Sequence, residues 1–277
     1  MKYKVGVIGN GFVGEAINFL FSSNSTVKIY DINKSKSINS LDETLESDFV
    51  FICLPTPMKA NGSQDLSFIN NFFENISNND NPIYIIKSTV LPGITKKISN
   101  KYPNLKVVFS PEFLREKTAK KDIINQSRII LGSDKVEYLN KVEGLFLSRF
   151  KNPNIIKTNS LTAEFIKYMN NNFLATKVSL MNEFYRLSNK VGVDWNVALA
   201  GFVADDRIGK SHLDVPGPDG KLGFGGACFP KDLNSFIKYA EDHNIKMNVL
   251  EAAWKTNLEV RPEEDWKNLK DRAVSDD

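Results

Sequence analysis

The sequence predicts an α/β protein in which a doubly wound, mainly parallel sheet is followed by a helical region. Three observations predict it: strand-like apolar runs alternate with helical segments along the first half, a glycine cluster stands between the first run and the first helix, and the pattern turns helical from about Ser160. Residues 3–8 alternate as a strand does, Tyr3, Val5 and Val7 against Lys4, Gly6 and Ile8. Gly9-Asn10-Gly11-Phe12-Val13-Gly14 follows, then an apolar-periodic helix through Ala16, Ile17, Leu20 and Phe21, then a strand from Thr26 to Tyr30 that closes on Asp31. Further buried strands are expected at 49–54, 83–86, 107–109 and 128–131, with helical segments between them. From Ser160, Phe165, Met169, Phe173, Val178, Met181 and Tyr185 recur at helical spacing until Gly192 offers a stop. A shorter helix is expected near 196–203, a loop at Pro216-Gly217-Pro218-Asp219-Gly220, and a helix beginning near Asp232. The segment from Glu259 onward is mostly charged and predicts no further sheet.

The order strand, glycine turn, helix, strand, acid is the fingerprint of a dinucleotide site in a Rossmann-type fold, with Asp31 standing 22 positions after Gly9. Gly9, Gly11 and Gly14 would bring main-chain amides and a helix N-terminus to the pyrophosphate. Asp31 would accept hydrogen bonds from the adenosine ribose and repel a 2′-phosphate, which selects NAD over NADP. The expected division is a Rossmann domain over residues 1–158 and a helical dimerisation domain over 159–277. The long helix would build a homodimer, because Phe165, Phe173, Met181 and its other apolar positions exceed what one sheet face would cover.

Composition narrows the function. The 277 residues are 42% hydrophobic and 25% charged, as in globular domains, and 36 basic against 33 acidic side chains leave a net charge of +3. Those charges are mixed along the chain, so no basic stripe predicts nucleic acid binding. No apolar run reaches the length of a secretory core or a membrane span, which predicts a cytoplasmic protein with no membrane contact. Cys53 and Cys228, like His212 and His243, stand in unrelated contexts, so neither a disulfide framework, a metal site nor a Ser/His/Asp triad is expected. Cys53 lies within an apolar run and is assigned to the core. Cys228 differs: in Gly225-Gly226-Ala227-Cys228-Phe229-Pro230-Lys231-Asp232 one thiol stands beside glycines that let main chain approach a ligand, and a thiol with a lowered pKa can attack an electrophile. Thr89 falls at the carboxyl end of a strand, the edge where open α/β sheets bind ligands. Glu112 and Glu116, four apart after Pro111, would share a face if that segment were helical. Lys167 and Asn171 are also four apart, so an ammonium and an amide would project from one helix face and could stabilise an oxyanion.

Seven ordered blocks, spread over nearly the whole chain, resemble the UDP-glucose/GDP-mannose dehydrogenase family. They are the glycine fingerprint with Asp31, Phe51-Ile52-Cys53-Leu54-Pro55-Thr56-Pro57, Lys87-Ser88-Thr89-Val90, Ser110-Pro111-Glu112-Phe113-Leu114-Arg115-Glu116, Lys167 with Asn171, Asp206-Arg207-Ile208-Gly209, and Gly223 to Asp232. The resemblance implies NAD-dependent oxidation of the C6 alcohol of a nucleotide sugar, UDP-glucose, to the uronate through a thiohemiacetal and a thioester on Cys228. GDP-mannose, a UDP-N-acetyl-hexosamine, or a non-catalytic NAD-binding dimerisation module are the alternatives.

For individual residues the resemblance implies the following. Thr89 lies beside the nicotinamide and a catalytic water, Glu112 assists hydrolysis, Lys167 and Asn171 stabilise oxyanions, and Asp232 orients the thiol or the water. Phe12, Val13, Lys36, Pro55, Thr56, Glu116 and Lys231 join the three glycines, Asp31 and Thr89 around the cofactor. Glu112, Phe113, Leu114, Glu116, Lys167, Asn171, Phe224 and Gly225 contact the substrate, and Arg207 reaches its diphosphate across a dimer interface. Family members continue into a second α/β domain that holds the nucleotide base, whereas this sequence stops at Asp277. The resemblance therefore leaves three expectations: a minimal enzyme, a fragment, or a separate partner supplying the nucleotide-binding part.

Overall fold

Val5 and Val7 on one face of the first strand, and Gly6 and Ile8 on the other, set a pattern that every central strand repeats. The computed structural model describes residues 2–76 and 78–275. Among them, β1 (Lys4–Ile8), β2 (Thr26–Tyr30), β3 (Phe49–Ile52), β4 (Ile83–Ile86), β5 (Lys106–Phe109), β6 (Ile129–Gly132) and β7 (Ile155–Thr158) form one sheet in the order β2-β1-β3-β4-β5-β6-β7. Neighbours pair parallel except β5 with β6. Val7, Phe51 and Ile85 stand side by side in register on one face, while Ile8, Ile52 and Ile86 do so on the other.

Helices cover both faces, so the strands are apolar on both sides. α1 (Phe12–Phe21), α5 (Ala119–Ile124) and α6 (Val136–Leu147) bury Ile17, Leu20, Phe21, Ile123, Leu145 and Phe146 against the Val7 face. α2 (Leu41–Leu45), α3 (Ser67–Asn75), α4 (Ile94–Lys101) and the first turns of α7 (Ser160–Val191) bury Leu45, Ile69, Phe73, Ile98 and Ala163 against the Ile8 face. α8 (Trp195–Phe202), α9 (Phe229–Asp242) and α10 (Asn248–Val260) complete the chain.

The molecule divides into two compact units, residues up to Thr56 with Leu66–Lys167, and Pro57–Asp65 with the residues from Tyr168 onward. The expected division at 158/159 coincides with the start of α7, whereas the units part inside that helix, because Ala163 and Ile166 pack into the sheet's core. The outer limits of the expected domains, residues 1 and 277, lie outside the described residues. In the second unit α7 contributes Ala175 and Val178 to a cluster with Phe224 and Leu233, and Met181 and Tyr185 to another with Leu213 and Val215. Met181 is therefore core, not the exposed dimerisation residue the spacing suggested, since the loop before Pro216 folds over it. Pro57–Asp65, the excursion after β3, is held by the end of the chain: Met58 N–H donates to Ala273 O and Ser275 N–H to Met58 O, both at 2.9 Å.

Some expected elements shift. The run 49–54 is strand only to Ile52, although Cys53 N–H still bonds Ile8 O at 2.8 Å. α9 begins at Phe229, three residues before the expected start, because Pro230 is well suited to a first helical turn. β7 was not expected; it is an edge strand whose residues are half-buried or exposed, and its apolar signal is correspondingly weak.

Candidate active site

In the first unit the chain order reverses at β1, which lies between β2 and β3, and ligands of open α/β sheets bind outside the carboxyl ends of strands at such a reversal. Gly9 leaves β1 with φ +89°, and a Cβ there would lie 2.6 Å from Cys53 O, so the turn admits no side chain. Gly11 is the opposite case: a Cβ on it would meet nothing within 4 Å. It is the N-cap of α1 with no side-chain cap, and the first helical bond is Glu15 N–H to Gly11 O at 2.9 Å. The amides of Phe12, Val13 and Gly14 thus precede the helix's own ladder, and an anion suits them.

Asp31 follows β2 with each oxygen accepting one backbone N–H, Oδ2 from Asn10 at 2.7 Å and Oδ1 from Asn33 at 2.8 Å. Each oxygen keeps a lone pair for a ribose hydroxyl. Asn10, at the variable position of the fingerprint, also donates its side-chain amide to Lys36 O at 2.8 Å. It ties the glycine turn to the loop that follows Asp31, a role the motif did not disclose. This cradle fits NAD: acceptors where hydroxyls are needed, bare amides where phosphates are, and open space at Gly11.

Three strand ends beside this turn are laced together. Thr56 Oγ1 donates to Thr89 O at 2.7 Å and Ser88 Oγ to Leu54 O at 2.6 Å, which fixes Pro55, Thr56 and Thr89 after β3 and β4. After β5, Glu112 turns back so that its Oε2 accepts Leu114 N–H at 2.6 Å. Lys167 Nζ, from α7, donates to Glu112 O at 2.6 Å and to Glu112 Oε1 at 2.9 Å, with both side chains buried. The Phe113 ring lies 5.3 Å from Lys167 Nζ and 4.4 Å from the Arg128 guanidinium. Glu116 does not share a helical face with Glu112. Residues 110–115 form neither helix nor strand, and Glu116 opens a short 3-10 turn, exposed beside the Arg115–Asp122 ion pair. Cys53 packs against the core, and burial pushes its thiol up to about 12, which suits a structural residue and not a nucleophile.

In the second unit Cys228 is the N-cap of α9, half-buried, and Asp232 N–H donates to Cys228 O at 3.0 Å, so the carboxylate stands one turn beyond the thiol. Asp232 is buried. Its Oδ2 accepts Asn171 Nδ2 at 2.6 Å and its Oδ1 accepts Lys231 Nζ at 2.5 Å. The loop carrying Phe224 and Gly225 is clamped from α10 and beyond. Asn257 accepts Phe224 N–H at 2.7 Å and donates to Phe224 O at 3.0 Å, and Arg261 pairs with Asp219 and Asp265, each at 2.6 Å. A Cβ on Gly225 would collide with Asp265 Oδ1. Arg261 and Asn257 were missed because the segment around them reads as solvated charge; the signal was an arginine immediately before a Pro-Glu-Glu-Asp run. Arg207 stands exposed, its guanidinium held by Asp205 of its own turn, which also keeps its pKa above the ordinary value.

Within each unit, then, some expected residues meet: Glu112 with Lys167 in the first, and Asn171 with Asp232 and Lys231 in the second. Lys167 and Asn171 share α7 but are committed to different carboxylates.

Residues 37–149 match the NAD binding domain of the UDP-glucose/GDP-mannose dehydrogenase family, and residues 161–259 match its central domain. A UDP-glucose 6-dehydrogenase of Rickettsia bellii (strain RML369-C) is 36% identical over 225 residues, covering 79% of this chain and 51% of its own. UDP-glucose 6-dehydrogenase TuaD of Bacillus subtilis (strain 168) is 31% identical over 299 residues, covering 93% of this chain and 63% of its own. The chain thus matches between about half and two thirds of the length of these relatives. A UDP-glucose dehydrogenase from the archaeon Pyrobaculum islandicum superposes with a TM-score of 0.82 at 26% identity, over 93% of this chain and 68% of that one. Among the described residues no helix is long and apolar enough to cross a membrane.

Proposed function

The chain belongs to the UDP-glucose/GDP-mannose dehydrogenase family and carries its NAD binding domain, and from that premise we propose that it oxidises the C6 alcohol of UDP-glucose to the carboxylate. The observation that carries this reading is Cys228 at the N-terminus of α9 with a buried carboxylate one turn on. Oxidation of an alcohol to a carbonyl needs no nucleophile, whereas continuation to the acid does. A helix N-terminus favours the thiolate that such a step requires.

The cofactor's chemistry is hydride acceptance, once per molecule and twice per sugar. Between the two events Cys228 Sγ adds to the aldehyde carbon, and after the second the thioester carbon is attacked by water, which releases the carboxylate and restores the thiol. Lys167, buried and cationic, stabilises the oxygen anion formed at each addition, and removal of one such donor costs ~10²–10³ in rate. Glu112, held by Lys167 and the Leu114 amide, orients the attacking water. Asp232 holds Asn171 in place and pairs with Lys231 in the first turn of the helix that the thiol caps. The α7 residues Phe165, Met169, Phe173 and Phe184 are exposed and apolar, which supports assembly as a homodimer through this helix.

Counting NADH per sugar consumed tests the proposal. Two equivalents with UDP-glucose are expected, and Cys228→Ser abolishes uronate formation while leaving NAD affinity unchanged. One equivalent makes the chain a simple alcohol dehydrogenase. Two from GDP-mannose or a UDP-N-acetyl-hexosamine and none from UDP-glucose reassigns the substrate, and none from any of them leaves an NAD-binding module.

A further inference from the structure

Lys87 is a buried charged group of the first unit to which the reaction above gives no part. It follows β4 and is 5% exposed. Its Nζ donates to Ser110 Oγ and to Pro111 O, each at 3.2 Å, both in the turn that leaves β5. The next residue is Glu112, whose backbone and side-chain oxygens receive Lys167. One short turn is therefore gripped by two ammonium groups from different elements, Lys87 at its start and Lys167 at its middle.

A lysine is a costly way to fill such a place, since an aliphatic side chain of the same length would pack without a buried charge. The groups around the Lys87 charge are the Cys53 thiol beyond β3, Glu112 beyond β5, Lys167 on α7, and the Phe146 ring of α6 at 5.9 Å. Burial holds Lys87 down to about 8, against the pull of Cys53 and Glu112 and with the repulsion of Lys167.

We propose that Lys87 is a positioning residue for the reaction: it fixes the Ser110–Leu114 turn so that Glu112 meets Lys167 in a single geometry. The inference rests on the function proposed above. Lys87 reaches the reacting carbon only through Glu112 and Lys167, and a misplacement of about 1 Å in such groups lowers rates about 10²-fold.

Two measurements test it. In Lys87→Met, kcat falls about 100-fold while KM for the sugar and NAD affinity change less than about threefold, and Ser110→Ala, which removes one of the two acceptors, gives a smaller fall of the same kind. Independently of turnover, NMR titration of ¹³Cε-labelled lysine follows Lys87 in the wild type and in Glu112→Gln, where loss of the neighbouring negative charge lowers its midpoint by about one pH unit. Wild-type kcat in both variants, or a Lys87 midpoint that Glu112→Gln leaves unmoved, overturns the proposal. If the wild type reduces NAD with none of the nucleotide sugars, the proposed function fails, and the titration alone decides whether Lys87 is coupled to the Glu112 turn.

Discussion

Lys167 and Asn171 stand one turn apart on α7, and each finds a buried carboxylate, but the two partnerships are built differently. In the first unit Lys167 meets Glu112, 55 positions earlier in the chain, as ion against ion. In the second unit Asn171 meets Asp232, 61 positions later, as amide against carboxylate, and the other carboxylate oxygen takes Lys231 from the neighbouring position. Glu112 depends on a distant cation, while Asp232 carries its own. A buried charge without a counterion is far more costly than a hydrogen bond foregone. The first partnership is therefore the more fragile of the two.

The sharpest way to break this comparison is Lys167→Met, which strands the Glu112 carboxylate and is expected to cost about 3–5 kcal/mol of stability. Urea unfolding reads it. Adding Glu112→Gln to that variant should recover most of the loss, and a double variant no more stable than Lys167→Met would show that packing, not charge, was lost.

A second carboxylate of the first unit sharpens the contrast, because it has no lysine. Glu164, one turn before Lys167 and fully buried, accepts Gly93 N–H at 2.6 Å and Thr95 N–H at 2.8 Å at the start of α4. Burial outweighs the pull of those amides and raises its pKa from 4.5 to about 7. The folded protein then holds a proton the unfolded chain has lost between about pH 4.5 and 7, so this group's contribution falls as pH rises through that window, by about 3 kcal/mol in all. Stability measured across the window should lose that slope in Glu164→Gln.

The smallest effect is expected at Asn171→Leu, about 1.5–3 kcal/mol, since Asp232 keeps Lys231 when the amide is gone. Denaturant midpoints compare it directly with Lys167→Met, and an equal or larger loss would reverse the ranking of the two partnerships.

Much of the first unit was legible because its site is made of main chain at strand ends. Glycine spacing, alternation and a terminal acid are local signals, and Gly9, Gly11 and Asp31 stand where those signals put them. The second unit is held by side chains far apart in sequence. Nothing local to Asn257 or Arg261 reveals that they clamp the loop of Phe224 and Gly225, and nothing in the spacing of Met181 separates a residue covered by its own chain from Phe173, which is exposed. Glu112 and Glu116 show the same limit: their spacing suggested one helical face, but residues 110–115 form no helix, Glu112 folds back onto the Leu114 amide, and Glu116 is exposed. β7 was lost for a simpler reason, since an edge strand of four residues has too few inward positions to alternate.

The bridge between Met58 and the residues around Ala273 has a consequence in time. Because Pro57–Asp65 belongs with the residues after Tyr168, the chain passes from one unit to the other at 56/57, 65/66 and 167/168, and no single cut yields both units whole. A ribosome adding about 5–20 residues per second makes Met58 roughly ten to forty seconds before Ala273 exists. Through that interval the four strands after β3 are made and the sheet is completed, while the excursion between β3 and β4 still lacks the partners of its two backbone bonds, which close only once Ala273 and Ser275 have emerged.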